Sequence, residues 1–100
     1  LRAVMAKKNE IAAVASEVSA RNSETSQIFR DQERLRENLK ALKGSAEEKN
    51  LVARYTRQLD EQETRLELIK REIADAQAKQ KKLQGELETL VQALSFDGRK

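Results

Sequence analysis

The sequence predicts an all-α fold, an antiparallel two-helix coiled-coil hairpin. The composition is typical of long helices, because 37% of the residues are charged, 3% are aromatic and none is proline. Apolar residues recur at seven-residue intervals on both sides of a glycine-serine pair, which is the period of a coiled coil. We expect a first helix over residues 1–43, a turn at 44–45, a second helix over 46–95 and a frayed tail over 96–100.

The first helix carries two interleaved sets of residues that together form one stripe along its surface. Since the spacing is seven residues within each set, both sets face the same partner helix. The segment 21–32 is the most polar part of the stripe, and we expect a looser or distorted helix there. The sets are Val4, Ile11, Val18, Thr25, Gln32 and Leu39, and Lys7, Val14, Arg21, Ile28, Leu35 and Leu42.

The turn is predicted from the residues that end one helix and begin the next. Gly44 follows a last turn that contains Lys40 and Lys43, and glycine after a lysine-rich helix end is typical of a C-terminus. Ser45 and Glu48 have the spacing of a capping box, in which both side chains satisfy free amides at a helix start. The alternative is one long helix that tolerates the glycine at a cost of about 1 kcal/mol.

The second helix also has two sets, and their phase favours a reversal of the chain. Leu39 and Val52 are thirteen residues apart, one short of two heptads, so a continuous helix would rotate the stripe by about 100°. A hairpin has no such conflict. The sets are Val52, Leu59, Leu66, Ile73, Gln80, Leu87 and Leu94, and Tyr55, Gln62, Ile69, Ala76, Leu83 and Leu90.

One register places Gln32 opposite Gln62 and Ile11 opposite Leu83. We expect the two amides to hydrogen-bond to each other and to fix the register, because an amide is costly against hydrocarbon. On the flank, Asp31 is expected to reach Arg65. Because a lone pair of helices leaves stripe residues half exposed, we further expect hairpins to pair into a four-helix assembly.

The residues for most enzyme chemistry are missing. There is no histidine or cysteine and there are only three glycines, so we expect no catalytic residue, no cofactor, no small-molecule substrate and no enzymatic activity. Asp60, Glu63 and Glu67 share a helix face that could contact a divalent cation, but a solvated acidic face explains them, and we assign no metal site. No run approaches the roughly 18 apolar residues of a membrane span.

Two functions remain compatible with the sequence. The first is a structural or protein-interaction arm, which binds further copies or other protein domains; Met5, Ala12, Ala15 and Phe29 lie near a second face that could dock a partner, or are simply good helix formers. The alternative is a nucleic-acid-binding arm whose basic tip contacts phosphates. The basic residues available to an anionic partner are Arg34, Arg36, Lys40, Lys43, Lys49, Arg54 and Arg57.

The segments Gln32–Leu42, Leu51–Tyr55 and Leu59–Glu63 resemble a helical region of mucoidy-inhibitor-like bacterial proteins of unknown function. The resemblance covers about residues 28–75. It implies a helical region attached to a mainly β protein, with the cell envelope as the location, and it transfers no catalytic residues. Because the chain begins at a leucine, we expect an arm excised from a larger bacterial protein.

Overall fold

The computed structural model describes residues 1–42 and 46–97, with the side chains of residues 47, 96 and 97 excepted. It contains helix α1, Arg2–Ala41, and helix α2, Ala46–Asp97, which form an antiparallel helical hairpin. The predicted fold class is therefore confirmed. Lys43, Gly44 and Ser45 lie outside the described residues, so the chemistry of the turn stays a prediction.

The helix ends differ from the predicted ones by one or two residues, which is the usual uncertainty at helix termini. Helix α1 stops at Ala41, and its last turn is tightened by a hydrogen bond from Leu42 N to Leu39 O at 3.2 Å. Helix α2 begins at Ala46, as expected, but runs to Asp97, two residues beyond the predicted end at residue 95. The reason lies in the sequence, because no glycine or proline occurs in α2 after Gly85.

The chain divides into two compact units. Unit 1 comprises Leu1–Arg21 and Glu72–Lys100, and unit 2 comprises Asn22–Arg71. In unit 1, the apolar core contains residues from both helices, and its members are Val14, Ala76 and Leu83, with Ile11 and Val18 packed against them. Ile11 packs against the cluster that contains Leu83, which agrees with the predicted register.

In unit 2, the most deeply buried side chains are Leu35, Ile69 and Gln32, all at 2% exposure or less. Full burial of an aliphatic side chain contributes about 1.5–3 kcal/mol, so Leu35 and Ile69 are the strongest apolar anchors of this unit. Helix α1 passes through the polar segment 22–32 without interruption, and the distortion expected there is absent. Three polar side chains of that segment, Glu24, Asp31 and Gln32, instead find partners on α2.

The predicted stripe is confirmed on the first arm, where all twelve positions are buried or half-buried, eleven of them in α1 and Leu42 just after it. On α2 the same holds except for Val52 and Leu94, which are 39% and 44% exposed. Both exceptions have a geometric cause. Val52 would face Leu42, which lies past the end of α1, and Leu94 would face a point beyond the first residue of α1.

Candidate functional site

A polar cluster in unit 2 joins the two helices through a pair of matching hydrogen bonds. Gln32 Nε2 donates to Glu63 Oε1 at 2.8 Å, and Gln62 Nε2 donates to Asp31 Oδ2 at 2.5 Å. Each glutamine thus donates to the acid that neighbours the other glutamine. This reciprocity is what a local two-fold relationship between antiparallel helices produces when Gln32 lies opposite Gln62, as the register predicts.

The hydrogen bond expected between the two amides is replaced by these bonds to carboxylates. Gln62 Oε1 is buried and has no hydrogen-bond partner, so it accepts nothing from Gln32. The amides bind the carboxylates because a hydrogen bond to an ionised acceptor is stronger than one between neutral amides. The role of Gln32 and Gln62 in fixing the register stays a prediction.

Asp31 accepts hydrogen bonds from residues of both helices. Arg34 Nε donates to Asp31 Oδ1 at 2.8 Å. The hydrogen bonds from Arg34 and then Gln62 hold the pKa of the Asp31 carboxyl below its ordinary value, against desolvation, which raises it. The hydrogen bond to Asp31 also holds the pKa of the Arg34 guanidinium above its ordinary value. The expected ion pair of Asp31 with Arg65 is not the one formed.

Arg65 instead binds Glu24 across the helix interface of unit 2. Its Nε donates to Glu24 Oε2 at 2.6 Å and its Nη2 donates to Glu24 Oε1 at 2.8 Å. This is the two-pronged geometry that matches a guanidinium to a carboxylate. In unit 1, Arg21 Nε donates to Glu72 Oε2 at 2.6 Å. Arg21 therefore stays half-buried at its predicted stripe position while its guanidinium binds a carboxylate at the edge of the seam.

An open groove in unit 2 lies beside the polar cluster and mixes both signs of charge. Three acidic and two basic side chains line it, and both arginines are bound to acids of the same groove, Arg34 to Asp31 and Arg65 to Glu24, so most of its charge is already neutralised. Within residues 1–42 and 46–97, no group of three or more acids is placed to hold a metal ion. The groove is lined by Glu24, Ile28, Asp31, Arg34, Gln58, Glu61, Gln62 and Arg65.

The basic residues near the turn are partly neutralised by their own helix. Arg34 is bound to Asp31, and Lys40 Nζ lies 3.3 Å from Glu37 Oε1. Lys43 lies outside the described residues. The positive charge that a phosphate could use is therefore smaller than the sequence suggests. Among the basic residues predicted to be available to an anionic partner, those that are exposed and form no ion pair with another described residue are Arg36, Lys49, Arg54 and Arg57.

Six large apolar side chains of the described residues stay exposed outside the stripe that joins the helices, among them Leu1 at 88% and Leu51 at 38% exposure. Met5, Phe29, Leu68 and Val91 are between 44% and 57% exposed. The sequence pattern predicts a second face near Met5 and Phe29 but does not include Leu68 and Val91 in it. Their heptad positions would have found them, since neither falls in the two predicted sets of α2.

Neither α1 nor α2, over the residues described, has an apolar stretch long enough to cross a lipid bilayer. No known protein family, curated protein or solved structure matches the chain. The resemblance to mucoidy-inhibitor-like proteins therefore stays a prediction. What the described residues offer is an interface that holds two helices together and a set of exposed apolar side chains.

Proposed function

We propose that the hairpin is a structural or protein-interaction arm of a larger protein, with no chemistry of its own. The observation that carries this proposal is the exposure of Met5, Phe29, Leu68 and Val91, which the pairing of α1 with α2 leaves uncovered. Exposed aromatic residues and methionines are enriched where proteins contact proteins. They provide exposed apolar area on helices whose interface with each other is already formed.

The polar contacts between the helices support the same proposal. The best-placed acids and bases of unit 2, such as Glu24 and Arg65, are bound to each other. The buried amide of Gln32 is likewise bound, to Glu63. Groups engaged in this way position helices rather than activate a substrate, because a catalytic acid or base must be able to reach the reacting atoms.

Site-specific photo-crosslinking in cells that produce the protein tests the proposal. A benzophenone amino acid replaces Phe29 in one variant and Arg30, its exposed neighbour, in the control. We expect protein adducts at position 29 and at least about fivefold fewer at position 30, because apolar exposed positions mark contact surfaces. Equal labelling at both positions, or adducts to nucleic acid alone, would contradict the proposal.

The alternative function, a nucleic-acid-binding arm, has one supporting observation. Arg36, Arg54 and Arg57 are exposed and carry no ion pair to another described residue. A titration of labelled single-stranded RNA and duplex DNA at increasing salt distinguishes the two functions. The protein-interaction arm predicts no salt-dependent binding near 100 mM, whereas phosphate contacts would release counterions. Binding that weakens with salt and is lost on Arg54→Gln with Arg57→Gln would favour the alternative.

A further inference from the structure

Helix α2 of unit 1 carries a second stripe on its solvent side. Its residues are Gln77, Lys81, Gln84, Glu88 and Val91, and all five are exposed. They follow one another at alternating intervals of four and three residues, which is the spacing of a coiled-coil seam. None of them belongs to the two sets that pack against α1. The helix therefore has an apolar seam that packs against α1 and a second, mainly polar stripe that stays exposed in the described part of the chain.

The surface around Gly85 is open. A Cβ atom added at Gly85 would meet nothing within 4 Å. The interhelical ion pairs of unit 1 lie on the other flank of α2, where Glu72 binds Arg21 and Glu86 binds Lys7 at 3.4 Å. The flank that carries the second stripe is thus free of the charged contacts that close the opposite flank.

The two charges on the stripe, Lys81 and Glu88, have opposite sign and lie two helical turns apart. Neither forms an ion pair with another residue in the described part of the chain. When two copies of α2 lie antiparallel and cross at Gln84 and Gly85, Lys81 of each copy faces Glu88 of the other. The stripe is therefore complementary in charge to itself under a two-fold rotation.

The exposed area of the chain is larger than a compact monomer requires. The chain exposes 7726 Å². A compact protein of 11.4 kDa exposes only about 5,800 Å². A standard protein–protein interface buries about 800 Å² on each partner. The difference is more than twice that area because two paired helices enclose less of their surface than a compact protein does, so exposed area does not limit a contact with a second copy.

We propose that a second copy of this chain docks on the stripe formed by Gln77, Lys81, Gln84, Glu88 and Val91. The two α2 helices lie antiparallel and cross at Gly85, and two hairpins together form a four-helix assembly. The absence of a side chain at Gly85 lets the helices approach closely, and Val91 becomes buried. The proposal rests on the proposed function, because it names a second copy as the partner of the protein-interaction arm.

Charge reversal tests the proposed geometry in sedimentation equilibrium of the full chain at low salt. Lys81→Glu and Glu88→Lys should each weaken self-association at least about tenfold, since each places like charges opposite each other twice. An equimolar mixture of the two variants should recover the affinity to within about threefold, because every pair in the mixed assembly is then of opposite sign. Lys82→Glu is the matched control, and it should leave the affinity unchanged.

Gly85→Gln provides a second variant that the fold itself tolerates, because the position is open. It should keep the helical circular-dichroism signal and weaken association at least about tenfold by blocking close approach. A wild-type protein that stays monomeric at high concentration would overturn the proposal, as would an assembly unaffected by the charge reversals. Either result leaves the protein-interaction arm itself to be judged by the crosslinks at position 29.

Discussion

Gln32 and Gln62 each donate a hydrogen bond to the acidic residue beside the other, at 2.8 Å to Glu63 and 2.5 Å to Asp31. The two glutamines are therefore coupled through their neighbours and not through each other. Gln62 Oε1 is left buried without a partner. We therefore expect the cluster to lower the stability of the hairpin relative to an apolar pair at these positions, which a substitution can reveal.

Replacement of both amides, Gln32→Leu with Gln62→Leu, should raise the free energy of unfolding by about 1–3 kcal/mol. Buried polar groups are often less stabilising than hydrophobic residues of similar volume, and the unpartnered oxygen disappears. Urea unfolding followed by circular dichroism measures the change. Gln27→Leu, at an exposed position, is the control and should change the value by less than about 0.5 kcal/mol. A double variant that is less stable than the wild type would contradict the prediction.

The ion pair of Glu24 with Arg65 should show a measurable coupling energy. It has two hydrogen bonds of 2.6 and 2.8 Å, and both side chains are only about one-third exposed. A double-mutant cycle with Glu24→Gln and Arg65→Gln should give about 0.5–1 kcal/mol.

The pair of Glu37 with Lys40 is the matched comparison on the surface. Its side chains are 60% and 74% exposed, with a single contact of 3.3 Å. The same cycle there should give no more than about 0.3 kcal/mol, because solvent screens the charges. Equal coupling energies for the two pairs would show that geometry and burial do not decide their strengths.

The stability of the folded protein should depend on pH through Asp31, and the sign of this dependence follows from the lowered pKa of its carboxyl group. A lowered pKa means that the ionised form is favoured in the folded state. The stabilisation is therefore present above the ordinary value of 3.8 and is lost as the pH falls through the still lower pKa of the folded protein. The cause is first the hydrogen bond from Arg34 and then the one from Gln62.

Comparison of the wild type with Asp31→Asn isolates this contribution. The difference in free energy of unfolding should be below about 1 kcal/mol at neutral pH, because the group is partly exposed, and should shrink as the pH falls below the ordinary value of 3.8. Asp75→Asn is the control, since Asp75 is exposed and forms no ion pair with a described residue. A difference that grows as the pH falls would contradict the assigned sign.

Gly85→Ala should stabilise the protein by about 0.5–1 kcal/mol. Glycine inside a helix costs backbone entropy relative to alanine, and the added Cβ meets nothing within 4 Å. Thermal unfolding at low protein concentration measures the effect on the separate chain. A lower melting temperature would mean that the position is already covered by other atoms.

The fold could be predicted from the sequence because its determinants are periodic. The seven-residue spacing and the shift of phase between Leu39 and Val52 specify two helices that fold back on each other. The structure buries or half-buries every predicted stripe position of α1. The register is also recovered in the polar cluster, where the hydrogen bonds of Gln32 and Gln62 mirror each other.

The identity of individual polar contacts could not be predicted in the same way. Arg34, Gln62 and Arg65 could each reach Asp31 in some rotamer. Helical spacing alone does not determine which of them binds it. The choice depends on rotamers and on competition, since Arg65 makes two bonds to Glu24 and leaves Asp31 to Gln62 and Arg34.

The account depends most directly on the register of the hairpin, and disulfide formation between paired cysteines tests it. The chain has no native cysteine, so Ile11→Cys with Leu83→Cys gives an unambiguous product. We expect rapid oxidation to a crosslinked monomer, because both side chains belong to one packed cluster, and little reaction for the displaced pair Ile11→Cys with Leu90→Cys. Crosslinking mainly between copies, or faster reaction of the displaced pair, would contradict the account.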